Sequence, residues 1–224
     1  ELLEYLNEHS IPHRFLTNTT RMAKKKLVAM FRYMGLKLLT NDIFSPPQAA
    51  AMYCQNKGYN NITLMVQDKD IYEDFSDFRL VNHNPEAIVL GDMGNKFTFN
   101  LINNLFNHIL DGAELIAMHK NPYWVPVDGE VALDLGAFIS ALEYASNTSA
   151  TIMGKPSANL FKLAANSWNV SRHSIFVVGD DLYGDISGAK NAGMKSILVK
   201  TGKFREKSLE NSNIMPDYII NSIA

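Results

Sequence analysis

Apolar positions along the chain alternate between a spacing of three to four and short unbroken runs, the two rhythms of helices and buried strands. Leu2, Leu3 and Leu6 share the stripe of an opening helix. His13 to Thr17 reads as a strand running into Asn18-Thr19-Thr20. Thr19 or Thr20 is placed to cap a helix carrying Leu27, Met30, Phe31 and Met34, with Gly35 to end it. A second series follows Ser45-Pro46-Pro47: a helix from Gln48 to Lys57, then strands at Ile62 to Val66 and Ala87 to Gly91. An amphipathic helix from Lys96 to Leu110 (Phe97, Leu101, Leu105, Ile109) and a strand from Leu115 to Met118 complete it. Asp68 to Asn84 is polar and without period, hence a connection.

A third series begins with a helix from Gly136 to Ser146. The strand Ala150 to Met153 runs into Gly154-Lys155-Pro156, and a helix from Ala158 to Ser167 follows. The strand Ser174 to Val178 ends on Gly179-Asp180-Asp181. A helix of small residues and strands at Ser196 to Val199 and Tyr218 to Ile220 close the chain. Strands alternating with helices predict an α/β fold, a Rossmann-like parallel sheet covered by helices on both faces. The middle series can bury a core of its own. The chain is therefore expected to divide into a discontinuous core, residues 1–44 and 150–224, and an inserted α/β unit, residues 45–149.

Composition narrows the partners. The 224 residues are 46% hydrophobic and carry a net charge of −2, which leaves no electrostatic footprint for nucleic acid or an anionic membrane. Lys24-Lys25-Lys26 lies in a helical stretch and reads as a solvated face. The single cysteine, Cys54, rules out an intrachain disulfide and a cysteine zinc site. Set among Ala49, Ala50, Ala51 and Met52, it reads as a buried thiol, and such usage fits a reducing, cytoplasmic compartment. No apolar run reaches the roughly 18 residues of a membrane span, and no signal peptide is visible.

Ligands of open α/β sheets bind where strands end, and three strand ends carry capable side chains: Thr17-Asn18, Lys155 and Asp180-Asp181. The ends at Val199-Lys200-Thr201-Gly202 and Tyr218-Ile219-Ile220 carry nothing as pointed. Asp180, Asp181 and Asp185 crowd negative charge onto one loop, which a cation relieves; magnesium suits hard carboxylate oxygens. A Gly-Asp turn capping the next helix accounts for the same residues. Lys155 fits a phosphate-holding point charge or a plain helix start before Pro156. Thr17 and Asn18 fit either a helix cap or phosphoryl-oxygen donors at a helix N-terminus.

The order of these motifs resembles the haloacid dehalogenase superfamily of phosphatases, in the subfamily IIA branch with a large α/β (C2-type) cap. Phe15-Leu16-Thr17-Asn18-Thr19, Val89-Leu90-Gly91, Ala141-Leu142-Glu143-Tyr144-Ala145, Met153-Gly154-Lys155-Pro156, Val178-Gly179-Asp180-Asp181 and Val199-Lys200-Thr201-Gly202-Lys203 carry the likeness. His119-Lys120-x-x-Tyr123 and the Gly-Asp-Asp spelling look most like the phospholysine phosphohistidine inorganic pyrophosphate phosphatase group and its hydrolase-like relatives. The resemblance implies that Thr17 and Asn18 bind the phosphoryl group and Lys155 neutralises it. It implies that Asp180 ligates Mg2+, with Asp185 supporting and Asp181 a neighbouring contact. The catalytic set so implied is Lys155, Asp180 and Asp185.

One family motif, the Asp-x-Asp that supplies nucleophile and acid–base, has no counterpart at the matching position. The resemblance places it before Glu1, in roughly 20 to 35 further residues, the length of a strand and its connection, and the chain as printed is expected to be inactive without it. The leading reading is a magnesium-dependent phosphohydrolase of a small phosphorylated compound. The alternative is a non-catalytic member that binds a phosphorylated ligand or a partner protein. A dinucleotide-binding domain lacks its G-x-G-x-x-G. Expected partners are the small substrate and, through the cap, a second copy in a homodimer. In His119 to Val125, Tyr123 and Trp124 either shape the substrate or belong to an interface or the cap core.

Overall fold

The computed structural model describes residues 2–36, 38–125, 129–166 and 168–223. Glu1, Ala224 and Ser167, the last residue of the helix expected from Ala158, lie outside the described residues. In chain order, α1 (Leu2–Glu8), β1 (Phe15–Leu16), α2 (Lys24–Tyr33), β2 (Ile43–Phe44) and α3 (Pro46–Lys57) come first. Next are β3 (Asn61–Met65), β4 (Arg79–Leu80), β5 (Ala87–Leu90), α4 (Phe99–Leu110), β6 (Glu114–Ala117), β7 (Tyr123–Trp124) and β8 (Ala132–Leu133). The series ends with α5 (Leu135–Ser146), β9 (Thr151–Ile152), α6 (Ala158–Ala165), β10 (Phe176–Gly179), α7 (Ser187–Ala192), β11 (Lys195–Val199), α8 (Glu206–Glu210) and β12 (Tyr218–Ile220).

Four local expectations are corrected. Neither Thr19 nor Thr20 caps α2, which starts only after Ala23. Thr17 Oγ1 instead accepts the Thr19 N–H at 3.2 Å, and an Asp74 carboxylate oxygen accepts the Lys24 N–H at 3.3 Å. The buried face of α2 is Leu27 and Val28, while Met30 and Met34 are exposed. Pro46 and Pro47 are not loop but the first turn of α3, where proline costs no hydrogen bond. The stretch from Asp68 to Asn84 is structured: Ile71, Phe75 and Phe78 are buried along it, and β4 adds a strand to the sheet.

Two compact units result: Thr17–Gly154, and Glu1–Leu16 with Lys155–Ala224. Residues 17–44 and 150–154, expected in the discontinuous unit, fall in the continuous one. Its five-stranded sheet is wholly parallel, in the order β4-β3-β5-β6-β9. Every residue of β5 is buried, as a strand covered on both faces requires. Ile88 and Leu90 pack in one cluster with Leu105, Ile109, Leu135, Ile139 and Leu142 of α4 and α5, each such side chain contributing about 1.5–3 kcal/mol. Residues 150–154 belong here because β9 pairs with β6, Ile116 opposite Thr151.

At the amino end of β6, Glu114 gathers hydroxyl donors from Tyr53 (2.7 Å), Tyr59 (2.6 Å) and Thr151 (2.7 Å). Burial opposes its ionisation, but these donors and Lys57 outweigh it, so its pKa is lowered. Beside it Cys54 is fully buried, and desolvation, aided by the Glu114 charge, pushes its thiol up to about 12. That thiol is inert at neutral pH.

The discontinuous unit holds a parallel three-stranded sheet, β10-β11-β12, with Gly179 opposite Leu198. Phe161 and Ala165 of α6 pack on Ala189 and Ala192 of α7. Leu198 meets Leu182 and Ile186 in a second cluster. Cover is uneven, since Phe176 and Val178 on β10 stay 46% and 44% exposed. No helix among the described residues is long and apolar enough to cross a membrane.

Candidate active site

Strand β10 ends at Gly179; Asp180 and Asp181 follow, and the chain then makes a π-helical turn, Leu182–Ile186, into α7. The turn returns Asp185 beneath the strand end, where it is buried. Gly179 permits this return: a Cβ there would lie 2.6 Å from the Asp185 Cβ and closer still to its carboxylate. Asp185 Oδ1 accepts from Lys155 Nζ at 2.7 Å, and its Oδ2 accepts the Asp181 N–H at 3.3 Å. Lys155 and Asp185 are thus one pair.

Asp181 is committed on both oxygens. Oδ1 accepts the N–H groups of Tyr183 (3.1 Å) and Gly184 (2.9 Å), and Oδ2 accepts from Lys203 Nζ (2.9 Å). Burial works against its charge, yet the Lys203 ammonium and the two N–H groups hold its pKa below the ordinary value. Asp180 Oδ2 accepts the backbone N–H of Lys203 at 2.6 Å. Its Oδ1 is the one oxygen of the three carboxylates with no partner given among the described residues.

The donor set can therefore be tested against a magnesium ion. Among the described residues no three His, Cys, Asp or Glu side chains form a metal-holding group. Magnesium keeps several waters and commonly uses one or two carboxylates plus substrate phosphate. Asp180 Oδ1 fits that demand as one hard oxygen. Lys203, to which the sequence assigns no role beyond its place in the Val199 to Lys203 stretch, joins the site; like Lys155 it is a lysine just past a strand.

Thr17 and Asn18 lie in the other unit. The Thr17 N–H donates to Phe44 O at 3.0 Å, fixing the start of the turn. Gly154 lets the turn pack closely: a Cβ there would stand 2.9 Å from Asn18 Oδ1 and 3.3 Å from His119 Cβ. His119 is buried, and desolvation lowers its pKa against the pull of Asp134 and Asp92. Asn121 donates its N–H to His119 Nδ1 at 3.3 Å, and Nε2 faces Asp134 Oδ1 at 3.8 Å. Tyr123 and Trp124, on the β7–β8 hairpin, are exposed, so they are not cap core.

Asp68-Lys69-Asp70 repeats the Asp-x-Asp spelling after β3, but both aspartates are occupied. Asp68 accepts the Asp70 N–H at 3.0 Å, and Asp70 pairs with Lys26. Lys25 pairs likewise with Glu73, so the basic cluster of α2 faces acidic partners.

Fold and site define a class first: a two-unit, parallel-sheet α/β protein with a lysine–carboxylate cluster where a strand ends. Comparison then supplies the family. Residues 1–79 match the haloacid dehalogenase-like hydrolase model, and residues 152–224 a second model described as HAD-hydrolase-like. The chain is 36% identical over 217 residues to haloacid dehalogenase-like hydrolase domain-containing protein 2 of Bos taurus, covering 96% of this chain and 82% of that one. It is 32% identical over 227 residues to the phospholysine phosphohistidine inorganic pyrophosphate phosphatase of Danio rerio, covering 100% and 82%. Among solved structures, the p-nitrophenyl phosphatase from Archaeoglobus fulgidus superposes with a TM-score of 0.87 at 23% identity, covering 99% of this chain and 87% of that one. The chain belongs to the haloacid dehalogenase-like hydrolases.

Proposed function

We propose that the protein is a magnesium-dependent phosphatase acting on a small phosphorylated compound in the cytoplasm. The observation that carries this is the Lys155–Asp185 pair beside an Asp180 with one oxygen to spare. A part-buried lysine paired with a carboxylate is a positioned positive charge for a phosphoryl oxygen. Thr17 and Asn18 are the neutral phosphoryl donors that the order of motifs along the chain suggests. Asp180 would hold magnesium through Oδ1, with Asp185 supporting, and the ion when bound supplies charge stabilisation of the phosphoryl oxygens.

The route runs through an aspartyl-phosphate. A carboxylate oxygen bonds to phosphorus as the ester oxygen leaves and takes a proton, and water then cleaves the acyl phosphate to inorganic phosphate. No residue among those described is assigned as that nucleophile. Phosphatase relatives at 32% identity support the reading.

The test is release of inorganic phosphate from a panel of phosphorylated metabolites, with magnesium and with a chelator. Chelator-sensitive release is expected. Binding of those compounds without release from any would sink the enzyme reading in favour of a non-catalytic phospho-ligand binder.

A further inference from the structure

One imidazole stands between the two feet of the β7–β8 hairpin. Asn121 leads into β7, and Asp134 follows β8 directly. His119 meets both: its Nδ1 lies 3.3 Å from the Asn121 backbone nitrogen and its Nε2 lies 3.8 Å from Asp134 Oδ1. The feet are also fastened to each other and to α5. Asp134 donates its N–H to Pro122 O at 3.1 Å, and Gly136 donates its N–H to Asn121 O at 2.8 Å. Glycine is required for that approach, since a Cβ on Gly136 would stand 2.5 Å from the carbonyl oxygens of Lys120 and Asn121. The Asp134 carboxylate caps α5, its Oδ1 accepting the Leu135 N–H at 2.8 Å. All of these residues lie in the unit Thr17–Gly154.

These contacts fix the state of the ring. A backbone N–H can only donate, so Nδ1 accepts from Asn121 and the one proton of the neutral imidazole sits on Nε2. The side chain is 6% exposed, and burial disfavours the cation. The charged groups that face it are Asp134 at the start of α5, Asp92 beyond β5 and Arg21 ahead of α2. Lys120, next in the chain, is paired with Glu143 of α5. Desolvation, the largest influence, and Arg21 push the pKa of His119 down against the pull of the two carboxylates, to below the ordinary 6.5. A second proton would have to go on Nδ1. Two donors would then oppose each other at 3.3 Å, and the cation would draw on the Asp134 oxygen that caps α5.

We propose that His119 is a proton-operated latch for the β7–β8 hairpin: neutral, it holds both feet closed, and protonated, it releases them. In the released state the ring reaches water and titrates near the usual histidine value of about 6.5, while the closed state takes up the proton only at lower pH. Release is therefore linked to proton uptake. It is rare above about pH 6.5 and favoured by up to about tenfold for each pH unit below. The hairpin carries Trp124, whose ring centroid lies 5.4 Å from the Arg21 guanidinium, so release also parts that pair. A histidine that only filled the core would need neither an acceptor bond at one foot nor a carboxylate facing it at the other. The latch acts within one unit and stands whether or not the protein turns over a phosphate.

The experiment is nuclear magnetic resonance on the whole chain from about pH 7.5 down to about pH 5, a span that brackets the histidine range. Imidazole nitrogen shifts report the tautomer and titration of His119, and hydrogen exchange, corrected for its intrinsic pH dependence, reports protection of the Asn121 amide. The Nε2–H tautomer is expected at neutral pH. Protection of Asn121 should then fall towards about tenfold per unit below about pH 6.5, with the Trp124 indole signal moving in step. His119→Asn places an amide oxygen near the position of Nδ1 but cannot take a proton, so its Asn121 protection should stay level over the same span. Level protection in the wild type, an equal fall in His119→Asn, or an Nδ1–H tautomer at neutral pH each overturns the latch. Should His119→Asn not fold, the wild-type amide of Ile88 in β5 serves as the control: it should keep its protection while Asn121 loses its own, and parallel loss at both would make the event general unfolding and overturn the latch.

Discussion

Lys155 Nζ lies 2.7 Å from Asp185 Oδ1, with the two side chains only 14% and 12% exposed. Removing one partner of such a pair strands the other charge away from water. Lys155→Met should therefore lower turnover at least about a hundredfold and also cost stability, about 3 kcal/mol. The double variant Lys155→Met with Asp185→Asn should regain most of that stability and none of the turnover. Denaturant unfolding beside phosphate release separates the two; a single variant as stable as wild type would show that Asp185 does not depend on the lysine.

Of the three carboxylates, Asp180 has the one oxygen with no partner given among the described residues, so magnesium dependence should rest on it. Asp180→Asn keeps an acceptor for the Lys203 N–H while losing the charge. The magnesium concentration for half-maximal turnover should rise at least about tenfold. Titration of activity against magnesium measures this, and an unaltered curve would move the metal to other ligands.

Gly188 packs against Phe161 so closely that a Cβ would fall inside the contact distance of the ring. Gly188→Ala gains helix propensity but must push α7 from α6, an overpacking that costs about 1–3 kcal/mol. Thermal unfolding should show a lower Tm. A rise would mean that the two helices separate without cost.

Asp74 bears on pH. Burial, the largest influence, raises its pKa from 3.8 to about 6, against the hydrogen bond from the Lys24 N–H. A carboxyl group with a raised folded pKa binds more protons folded than unfolded between those values. Its stabilising contribution is present below about pH 4 and lost as pH rises through about 6. Wild-type Tm should accordingly fall relative to Asp74→Asn across that window and run parallel to it above. Parallel curves throughout would show the carboxyl to be solvated.

The sequence made legible what periodicity and strand-end chemistry encode. The Leu105 and Ile109 stripe of α4 and the run Ala87 to Leu90 of β5 lie where their patterns put them. Three things escaped because they depend on partners distant in sequence. The start of α2 differs from its expected cap because Thr17, not Thr19 or Thr20, forms the turn, while the acceptor for Lys24 comes from Asp74. Ile71, Phe75 and Phe78 were hidden by the polar residues between them. The commitments of Asp181 and Asp185 depend on a π-helical turn, on Lys203 for Asp181 and on Lys155 for Asp185, none of which spacing within Gly-Asp-Asp reveals.

The unlike duties of Asp180 and Asp181 imply unlike tolerance to mutation. Asp181 ties down two N–H groups and a lysine, a task that asparagine, serine or threonine can share in part. Asp180 has an oxygen for which only another carboxylate supplies both charge and reach, and glutamate would overshoot by a methylene. In a saturation library selected for activity, position 181 should accept a small set of capping residues and position 180 none. Adjacent, identical letters in the sequence would then drift at different rates.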